Sequence, residues 1–242
     1  MPVFVITGAR GGIGLGYVSQ LAQDSNSTVF ALVRDLKGDI SALESIKTNG
    51  PGTVHILECD ISSEPSIEKL PDQIRSLQPD ASIDVLINNA AVLHSRHEDS
   101  LNLTTDTLVS HITSNVMGPA KILQALLPLL SPSARIANIT SGLGSLAMLL
   151  DGRINAELTP YSISKTAVNM LTVHQAKHLA KRGLKDMAII CVDPGHVKTE
   201  MGGPNAVVEI ADSASGVLAT LRKLKPEDSG KFYLYNGTEL PW

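Results

Sequence analysis

The sequence predicts one α/β domain over residues 1–242, built on a single doubly wound parallel sheet of about seven strands. Short apolar runs rich in β-branched residues alternate with segments whose apolar residues recur at helical spacing. No linker, internal repeat or low-complexity segment interrupts this alternation, and the chain is long enough to bury one large core. The predicted strands are 2–7, 28–33, 53–59, 83–87, 134–140, 187–192 and 231–235.

The segments between these strands predict the helices that a parallel sheet needs as connections. They carry apolar residues three and four positions apart, and glycine or proline breaks most of them at their ends. The predicted helices lie within 13–22, 39–48, 65–77, 101–130 (one or two helices), 161–181 and 214–224.

The composition excludes several classes of protein. The formal net charge is −4 without a cluster of Lys and Arg, which argues against nucleic acid or an anionic membrane as partner. Cys59 and Cys191, the two cysteines, lie in predicted strands, so we expect reduced, buried thiols. The start of the chain lacks signal-peptide features and no apolar stretch has membrane-spanning length, so we expect a soluble, cytoplasmic protein.

A glycine-rich loop follows the first predicted strand. Gly8, Gly12 and Gly14 stand between that strand and a helical pattern that begins at Ile13. Glycines let the backbone turn tightly and approach a pyrophosphate, which the free N–H groups of a helix start can bind. Strand, glycine loop and helix in this order predict a dinucleotide site of the Rossmann type. A glycine-rich turn without a ligand is the alternative.

The end of the second predicted strand indicates which dinucleotide is bound. The side chain at this point reads the 2′ position of the adenosine ribose, where an acidic residue favours a free hydroxyl. Here Val33 is neutral and Arg34 follows, and Arg10 of the glycine loop could reach the same 2′-phosphate. We therefore expect NADP(H). A shift of one residue would place Asp35 there instead and favour NAD(H).

Small or polar residues follow the next four strands, whose carboxyl ends face the ligand in this type of fold. Asp60 could accept a hydrogen bond from the adenine amino group, start a helix, or do both. For the asparagine-rich segment 88–91, which follows the fourth strand, formation of a turn without a ligand is the alternative. The segments after the fourth, fifth and sixth strands are Asn88-Asn89-Ala90-Ala91, Ser141-Gly142 and Asp193-Pro194-Gly195.

The pair Tyr161 and Lys165 predicts acid–base chemistry. Residues four apart share one face of a helix, and an ammonium beside a phenol favours the phenolate and lowers its pKa. Carbonyl and alcohol chemistry needs such a proton donor and acceptor. An exposed Tyr and Lys on a helix surface is the alternative. Asn115, inside an apolar helical stripe, either caps a local distortion or holds a water molecule.

Histidines do not indicate a metal site. His94 and His97 are three positions apart in a polar loop, without the cysteines or carboxylates that would complete a ligand set. We expect solvated histidines and no bound metal.

Together these residues resemble the short-chain dehydrogenase/reductase family over nearly the whole chain. Thr7-Gly8-x-x-x-Gly12-x-Gly14 is similar to its cofactor motif, and Asn88-Asn89-Ala90 to its NNAG segment, with Ala91 in place of glycine. Within the family, residues 141–145, 193–197 and 240–242 resemble the sniffer/C-signal group of carbonyl reductases and the fungal norsolorinic acid ketoreductases. The positions similar to the catalytic tetrad are Asn115, Ser141, Tyr161 and Lys165, and those similar to the PGxVxT motif are Pro194, Gly195, Val197 and Thr199.

The resemblance implies NADPH-dependent reduction of a ketone, without a metal. Tyr161 would give the proton, Ser141 would stabilise the substrate oxygen, Lys165 would lower the Tyr161 pKa and bind the nicotinamide ribose, and Asn115 would hold a water linked to Lys165. An NAD-dependent alcohol dehydrogenase and a low-turnover nucleotide-sensing or signalling protein of the C-signal type are the alternatives. The expected cofactor contacts are Gly8, Arg10, Gly12, Ile13, Gly14, Arg34, Asp60, Ile61, Asn88, Ala90, Lys165, Pro194, Gly195, Val197 and Thr199.

One departure from the family concerns the substrate side. Tyr161 follows Ser141 by 20 positions, several more than is usual, so we expect residues 145–157 to form an extra wall of the pocket. Ser145 is the alternative for the serine role. A loop at 196–212 could cover the substrate. Expected pocket residues are Leu143, Leu146, Met148, Leu149 and Met201.

The resemblance also implies self-association. Relatives form dimers or tetramers through the helices that carry Asn115 and Tyr161, and the apolar face at 122–127 would permit this. Burial of that face inside one protomer explains the pattern equally well.

Overall fold

A computed structural model describes all residues, 1–242, and contains one sheet of seven parallel strands. The strand order is β3-β2-β1-β4-β5-β6-β7, so the chain works outward from β1 in one direction and then from β4 in the other. This is the doubly wound Rossmann fold that the sequence predicts. The strands are β1 (Val3–Thr7), β2 (Thr28–Val33), β3 (Thr53–Glu58), β4 (Ile83–Asn88), β5 (Leu130–Ile139), β6 (Ala188–Asp193) and β7 (Phe232–Leu234).

Nine α-helices cover the two faces of the sheet. None of them is both long enough and apolar enough to cross a lipid bilayer. The helices are α1 (Gly12–Leu21), α2 (Ser41–Asn49), α3 (Glu64–Glu68), α4 (Leu70–Leu77), α5 (Thr105–Ile112), α6 (Gly118–Leu126), α7 (Leu146–Leu150), α8 (Thr159–Lys181) and α9 (Ile210–Lys223).

The alternation of side chains along the strands divides the interior into two cores. Phe4 and Ile6 of β1 pack with α1, α2 and α9, whereas Val3 and Val5 pack with α3, α4, α6 and α8. The two cores contain 23 and 22 buried residues, so both faces of the sheet are sealed to a similar extent. Every cofactor-sized opening must therefore lie at an end of the strands.

Several boundaries differ from the sequence-based expectations. Pro71 stands in the first turn of α4, where it needs no N–H partner, and the single helix expected at 65–77 is divided at Lys69. β5 begins at Leu130 rather than at 134, across an irregular register opposite Ile83 to Val85. α9 begins at Ile210, which shortens the expected loop at 196–212.

The region expected to hold one or two helices at 101–130 is more complex. A π-helical turn, Thr113–Met117, joins α5 to α6, and a short 3₁₀ turn follows at Leu127–Leu129. In the apolar face expected at 122–127, Ile122, Leu123 and Leu126 are buried in the protomer's own core, and Leu127 is partly buried against it. Of the two explanations for that face, burial within one protomer is the observed one.

The buried side chain of Tyr17 in α1 allows a test of the core. It is completely enclosed and its hydroxyl has no hydrogen-bond partner, and burial raises its pKa. A buried polar group without a partner costs free energy, so Tyr17→Phe should raise the free energy of unfolding by about 1 kcal/mol. Urea denaturation of both proteins measures this difference. A loss of stability in the variant would mean that the hydroxyl is bonded.

Candidate active site

A cleft of about 750 Å³ opens at the carboxyl edge of the sheet. It crosses the point between β1 and β4 where the strand order reverses, which is where ligands bind in open α/β sheets. The expected site residues that line this cleft are Gly8, Arg10, Gly12, Ile13, Arg34, Asp60, Ile61, Ala90, Tyr161, Lys165, Pro194 and Thr199.

The glycine loop is shaped by close backbone contacts. Gly8 and Gly12 have positive φ values of 69° and 54°, which side chains rarely adopt. A Cβ on Gly8 would lie 2.8 Å from Cα of Ala90, and one on Gly14 would collide with the Gly8 carbonyl oxygen. The first turn of α1 has no side-chain cap, so its backbone N–H groups are free to bind an anion at the cleft.

Thr7 joins the glycine loop to the loop after β4. Its hydroxyl oxygen accepts hydrogen bonds from the N–H groups of Asn89 and Ala90, both at 2.9 Å. Asn89 Nδ2 in turn donates to the Thr7 carbonyl oxygen at 3.0 Å. The asparagine segment is therefore a structural connection between two loops of the cleft as well as part of its lining.

The adenosine end of the cleft carries both expected arginines. Asp35 forms an ion pair with Arg10 at 3.2 Å and accepts from the N–H of Gly38 at 2.9 Å, and the Arg10 guanidinium lowers its pKa. Arg34 is exposed and lines the cleft beside Val33. Asp35 is therefore paired with Arg10. Of the two residues that follow β2, Arg34 is the one that lines the cleft.

Asp60 does not itself start α3, whose N-cap residue is Ser63, but it shapes the turn before that helix. Its carboxylate accepts from the N–H and hydroxyl groups of Ser62, at 2.9 and 2.7 Å, and so forms the turn that precedes α3. It also lies in the wall of the cleft.

Tyr161 and Lys165 lie on the first turns of α8, and both are buried, at 8% and 2% exposure. Lys165 Nζ donates to the carbonyl oxygen of Ile139 at 2.8 Å and lies 5.3 Å from the centre of the Tyr161 ring. The explanation as an exposed surface pair is therefore wrong.

The electrostatics of this pair differ from the sequence-based expectation. Burial raises the pKa of Tyr161, the charge of Asp193 adds to that rise, and Arg96 opposes it. Burial also lowers the pKa of Lys165 to about 8. The expected lowering of the Tyr161 pKa is not seen, because removal of the phenolate from water outweighs the nearby cation.

Asn115 lies in the π-helical turn between α5 and α6. Its Oδ1 accepts from Val92 N at 2.8 Å, and its Nδ2 donates to the Val92 carbonyl and to Ser164 Oγ, both at 3.0 Å. A local distortion of the helix, one of the two explanations for this residue, is thus observed. The side chain fixes the loop after β4 against α8.

The two candidate serines have different environments. Ser145 is 1% exposed, and its hydroxyl donates to the Pro241 carbonyl at 2.7 Å while accepting from Met148 N at 3.1 Å. Ser141 is half-buried at the end of β5 and accepts only from Leu143 N, at 3.2 Å, so its O–H remains available. Of the two serines, Ser141 is therefore the one with a hydroxyl hydrogen free to donate, and neither serine is among the residues that line the cleft.

Other expected site residues contribute by packing. Asn88 is buried and donates to Asn138 Oδ1 at 2.8 Å, inside the sheet rather than in the cleft. Val197 is buried and forms a bridge with Val208 that closes the base of the loop after β6. Gly195, with a φ of 82°, lies against the Tyr235 ring.

Asp193, the last residue of β6, was missed as a site residue. Its carboxylate accepts from Gly142 N and from Gly195 N, both at 2.8 Å, and thereby joins the Ser141 loop to the Pro194-Gly195 turn. Burial raises its pKa, and the two N–H groups and the Lys165 charge oppose that rise. Its place directly before Pro194 at a strand end is the sequence signal that could have identified it.

His111 and Arg96 were also missed. His111 is fully buried, its Nε2 accepts from His94 N at 3.2 Å, and its ring meets the Tyr161 ring edge-on with centres 6.3 Å apart. Arg96 donates at 2.6 Å to the carbonyl of Met201, which lines the cleft. The structure contains no group of three or more His, Cys, Asp or Glu side chains that could hold a metal ion.

The fold and this cleft define a class of protein: an oxidoreductase domain with a dinucleotide site at the switch point and a buried Tyr–Lys pair beside it. The family model described as short chain dehydrogenase matches residues 2–207, and the chain belongs to that family. Within it, the relatives and structural neighbours below place the chain in the carbonyl reductase group that includes Sniffer and C-signal.

Two relatives illustrate the similarity in sequence. C-signal of Myxococcus xanthus is 38% identical over 164 residues, which cover 66% of this chain and 93% of that protein. Norsolorinic acid ketoreductase of Aspergillus parasiticus is 27% identical over 253 residues, which cover 99% of this chain and 91% of the relative.

Two solved structures show the same fold over the complete length of both chains. The NADPH-bound carbonyl reductase from chicken fatty liver has a TM-score of 0.88 and 30% identity, with 100% of each chain covered. The carbonyl reductase Sniffer of Drosophila melanogaster has a TM-score of 0.89 and 28% identity, again with 100% of each chain covered.

The buried ammonium of Lys165 predicts a pH-dependent effect on stability. Its pKa falls from 10.5 to about 8 on folding, so the charged form costs about 3 kcal/mol at pH 7. Lys165→Met removes that cost. It leaves the Ile139 carbonyl without a partner, which destabilises the folded state by about 1 kcal/mol. The variant should therefore be more stable by about 2 kcal/mol at pH 7.

This advantage should shrink as the pH rises from 8 to 10.5. In that range the unfolded wild-type chain binds a proton at Lys165 that the folded chain does not, so wild-type stability increases with pH. Urea unfolding of both proteins at pH 7, 8.5 and 10 measures the trend. A constant difference would show that Lys165 does not titrate differently in the two states.

Proposed function

We propose that this protein reduces a ketone to an alcohol with NADPH, with Tyr161 as the proton donor. The observation that carries the proposal is the buried Tyr161–Lys165 pair. It lies in a cleft that also contains the glycine loop and the N-terminus of α1, which has no side-chain cap. The printed descriptions of two similar structures support it, since one is an NADPH-bound carbonyl reductase and another a carbonyl reductase in complex with NADP.

The residues of the cleft fit NADP(H). The pyrophosphate would lie against the free N–H groups at the start of α1, where the glycines leave room for it. Arg34, exposed at the end of β2, would bind the 2′-phosphate, and Arg10 lines the same cleft, held by its ion pair with Asp35. When bound, the cofactor supplies the hydride that reduces the carbonyl carbon.

The other groups hold the substrate and move the proton. The Ser141 hydroxyl would donate to the carbonyl oxygen and stabilise the negative charge that develops there. The Tyr161 hydroxyl transfers its proton to the same oxygen, and its raised pKa keeps it protonated at neutral pH. Lys165, adjacent on α8, would bind the nicotinamide ribose and balance the tyrosinate until it regains a proton.

The substrate would lie between the Ser141 loop and the segments 145–157 and 196–209. Met201 lines the cleft, and Leu146 and Leu149 of α7 are 61% and 37% exposed beside Ser145. These apolar side chains favour a carbonyl compound with a large apolar portion.

The cell compartment and self-association are also part of the proposal. Cys59 and Cys191 are free and buried, which agrees with a reducing compartment such as the cytoplasm. Val109, Met117 and Met170 are 55%, 44% and 61% exposed on α5, the π-turn and α8. This apolar surface could pair with a second copy in a homodimer or homotetramer.

The similarity to C-signal supports a second candidate function, a nucleotide-dependent signalling role with little turnover. NADPH binding without oxidation in the presence of ketones, diketones and quinones would support it. A preference for NADH with alcohol oxidation would instead favour an NAD-dependent alcohol dehydrogenase.

The reductase proposal predicts NADPH oxidation with a panel of ketones, diketones and quinones. Tyr161→Phe should reduce kcat by about 100-fold or more, because it removes the proton donor while retaining the ring. Absorbance at 340 nm, followed in parallel with NADPH and with NADH, measures the turnover rate and the cofactor preference. Ser162→Ala, one position along α8 at a half-buried residue whose hydroxyl donates to the Glu157 carbonyl, is the matched control and should retain activity. Full activity in Tyr161→Phe would contradict the assignment.

Arg34→Ala should raise the Kd for NADPH about tenfold and leave that for NADH nearly unchanged, since only NADPH carries the 2′-phosphate. Lys37→Ala removes another exposed cation three positions away and should affect neither constant. Isothermal titration with both cofactors measures the constants. Equal weakening of both by Arg34→Ala would mean that Arg34 does not read the 2′ position.

A further inference from the structure

The helix α7 has almost no stabilising contacts of its own. It consists of five residues, none of them buried, and Leu146 and Leu150 are 61% and 88% exposed. Isolated helices of this length are not stable in water. Contacts from elsewhere in the chain must therefore hold this segment beside the Ser141 loop.

Those contacts come from Pro241 and Trp242. The Ser145 hydroxyl donates to the Pro241 carbonyl at 2.7 Å, and Ala147 N donates to the Trp242 carbonyl at 2.9 Å. The Trp242 ring stacks on Phe232 with centres 5.5 Å apart, and Phe232 is itself 1% exposed in β7. Two hydrogen bonds and one aromatic stack thus connect α7 to the sheet.

The residues between β7 and Trp242 are also fixed. Leu240 N donates to the Phe232 carbonyl and Leu234 N to that of Thr238, both at 2.8 Å, so the chain folds back along β7. This antiparallel segment, 238–242, is called the tail below. It is a rigid support because its backbone is paired to a strand of the central sheet.

The same helix reaches the catalytic loop. A Cβ on Gly142 would lie 3.3 Å from Met148 Cε and 3.0 Å from the Asp193 carboxylate, so Met148 packs directly over the residue after Ser141. The Gly144 carbonyl accepts from Thr166 and Asn169 of α8, both at 3.1 Å. A displacement of α7 would therefore change the space in front of Ser141 while Gly144 stays in place.

We infer that the tail is a specificity-determining element: through Ser145 and Ala147 it positions α7 as the wall that fits the apolar part of a bulky carbonyl substrate. Ser145 and Trp242 are positioning residues, since neither reaches the reacting atoms. The selectivity rests on the proposed reductase function, whereas the support of α7 by the tail does not.

The support is tested by hydrogen exchange and by fluorescence. Trp242 is the only tryptophan in the chain, so its emission reports on the tail alone. Ser145→Ala should increase amide exchange about fivefold within 145–151 and move the Trp242 emission maximum to longer wavelength. Ser76→Ala, at an exposed position of α4 far from the tail in sequence, is the matched control. Exchange and emission identical in both variants would overturn the inference.

The selectivity is tested by steady-state kinetics with 2-undecanone as the bulky ketone and diacetyl as the small one. Ser145→Ala and Trp242→Ala should raise KM for 2-undecanone about fivefold with little change in kcat, and alter diacetyl turnover less than twofold. Trp242→Phe retains the aromatic stack and should restore the wild-type KM. Equal effects on both ketones, or no effect on either, would overturn the inference that the tail determines substrate selectivity.

The outcomes distinguish this inference from the proposed function. If the wild-type protein turns over neither ketone nor any of the wider panel, the reductase proposal fails and the selectivity fails with it. The exchange result in Ser145→Ala still decides whether the tail supports α7. Unchanged NADPH affinity in every tail variant is expected, because the tail makes no contact with the cofactor side of the cleft.

Discussion

The buried ammonium of Lys165 is the constraint on which the edge of the sheet depends. A charge in a protein interior is costly unless polar groups surround it. Here the charge is bonded to the Ile139 carbonyl at the end of β5 and lies near the Asp193 carboxylate at the end of β6. These interactions fix α8 against the ends of two strands, and Tyr161, one turn earlier, is thereby held over the cleft.

The loops around that pair are held by side chains that bind backbone groups of other loops. Thr7 joins the loops after β1 and β4, Asn115 joins the latter to α8, and Asp193 joins those after β5 and β6. Each of these residues replaces water as the partner of otherwise unpaired N–H groups. A network of this kind holds a site rigid before the ligand arrives.

The sequence predicts the sheet and the cleft better than it predicts the loops. Strand alternation and the glycine loop are local patterns, so the parallel sheet and the place of Tyr161 and Lys165 follow from residues close in sequence. The bond from Arg96 to Met201 joins residues 105 positions apart, and the contact of Ser145 with Pro241 spans 96 positions. No local pattern indicates such pairs. The sign of the Tyr161 pKa shift was missed for a similar reason, because it depends on burial by the whole fold.

The π-helical turn at Thr113–Met117 has a consequence for how this chain tolerates change in length. A π-turn corresponds to one additional residue within an α-helix, and each residue advances a helix by about 100°. Because the wider turn already accommodates that extra residue, deleting one residue here would restore regular α-helix and leave the same face of α6 toward the core. Deleting a residue within α6 before Ile122 would instead rotate Ile122 and Leu126 by about 100° and take them out of the core. The π-turn is thus a position where this helical segment tolerates a change in length while α6 keeps its packing.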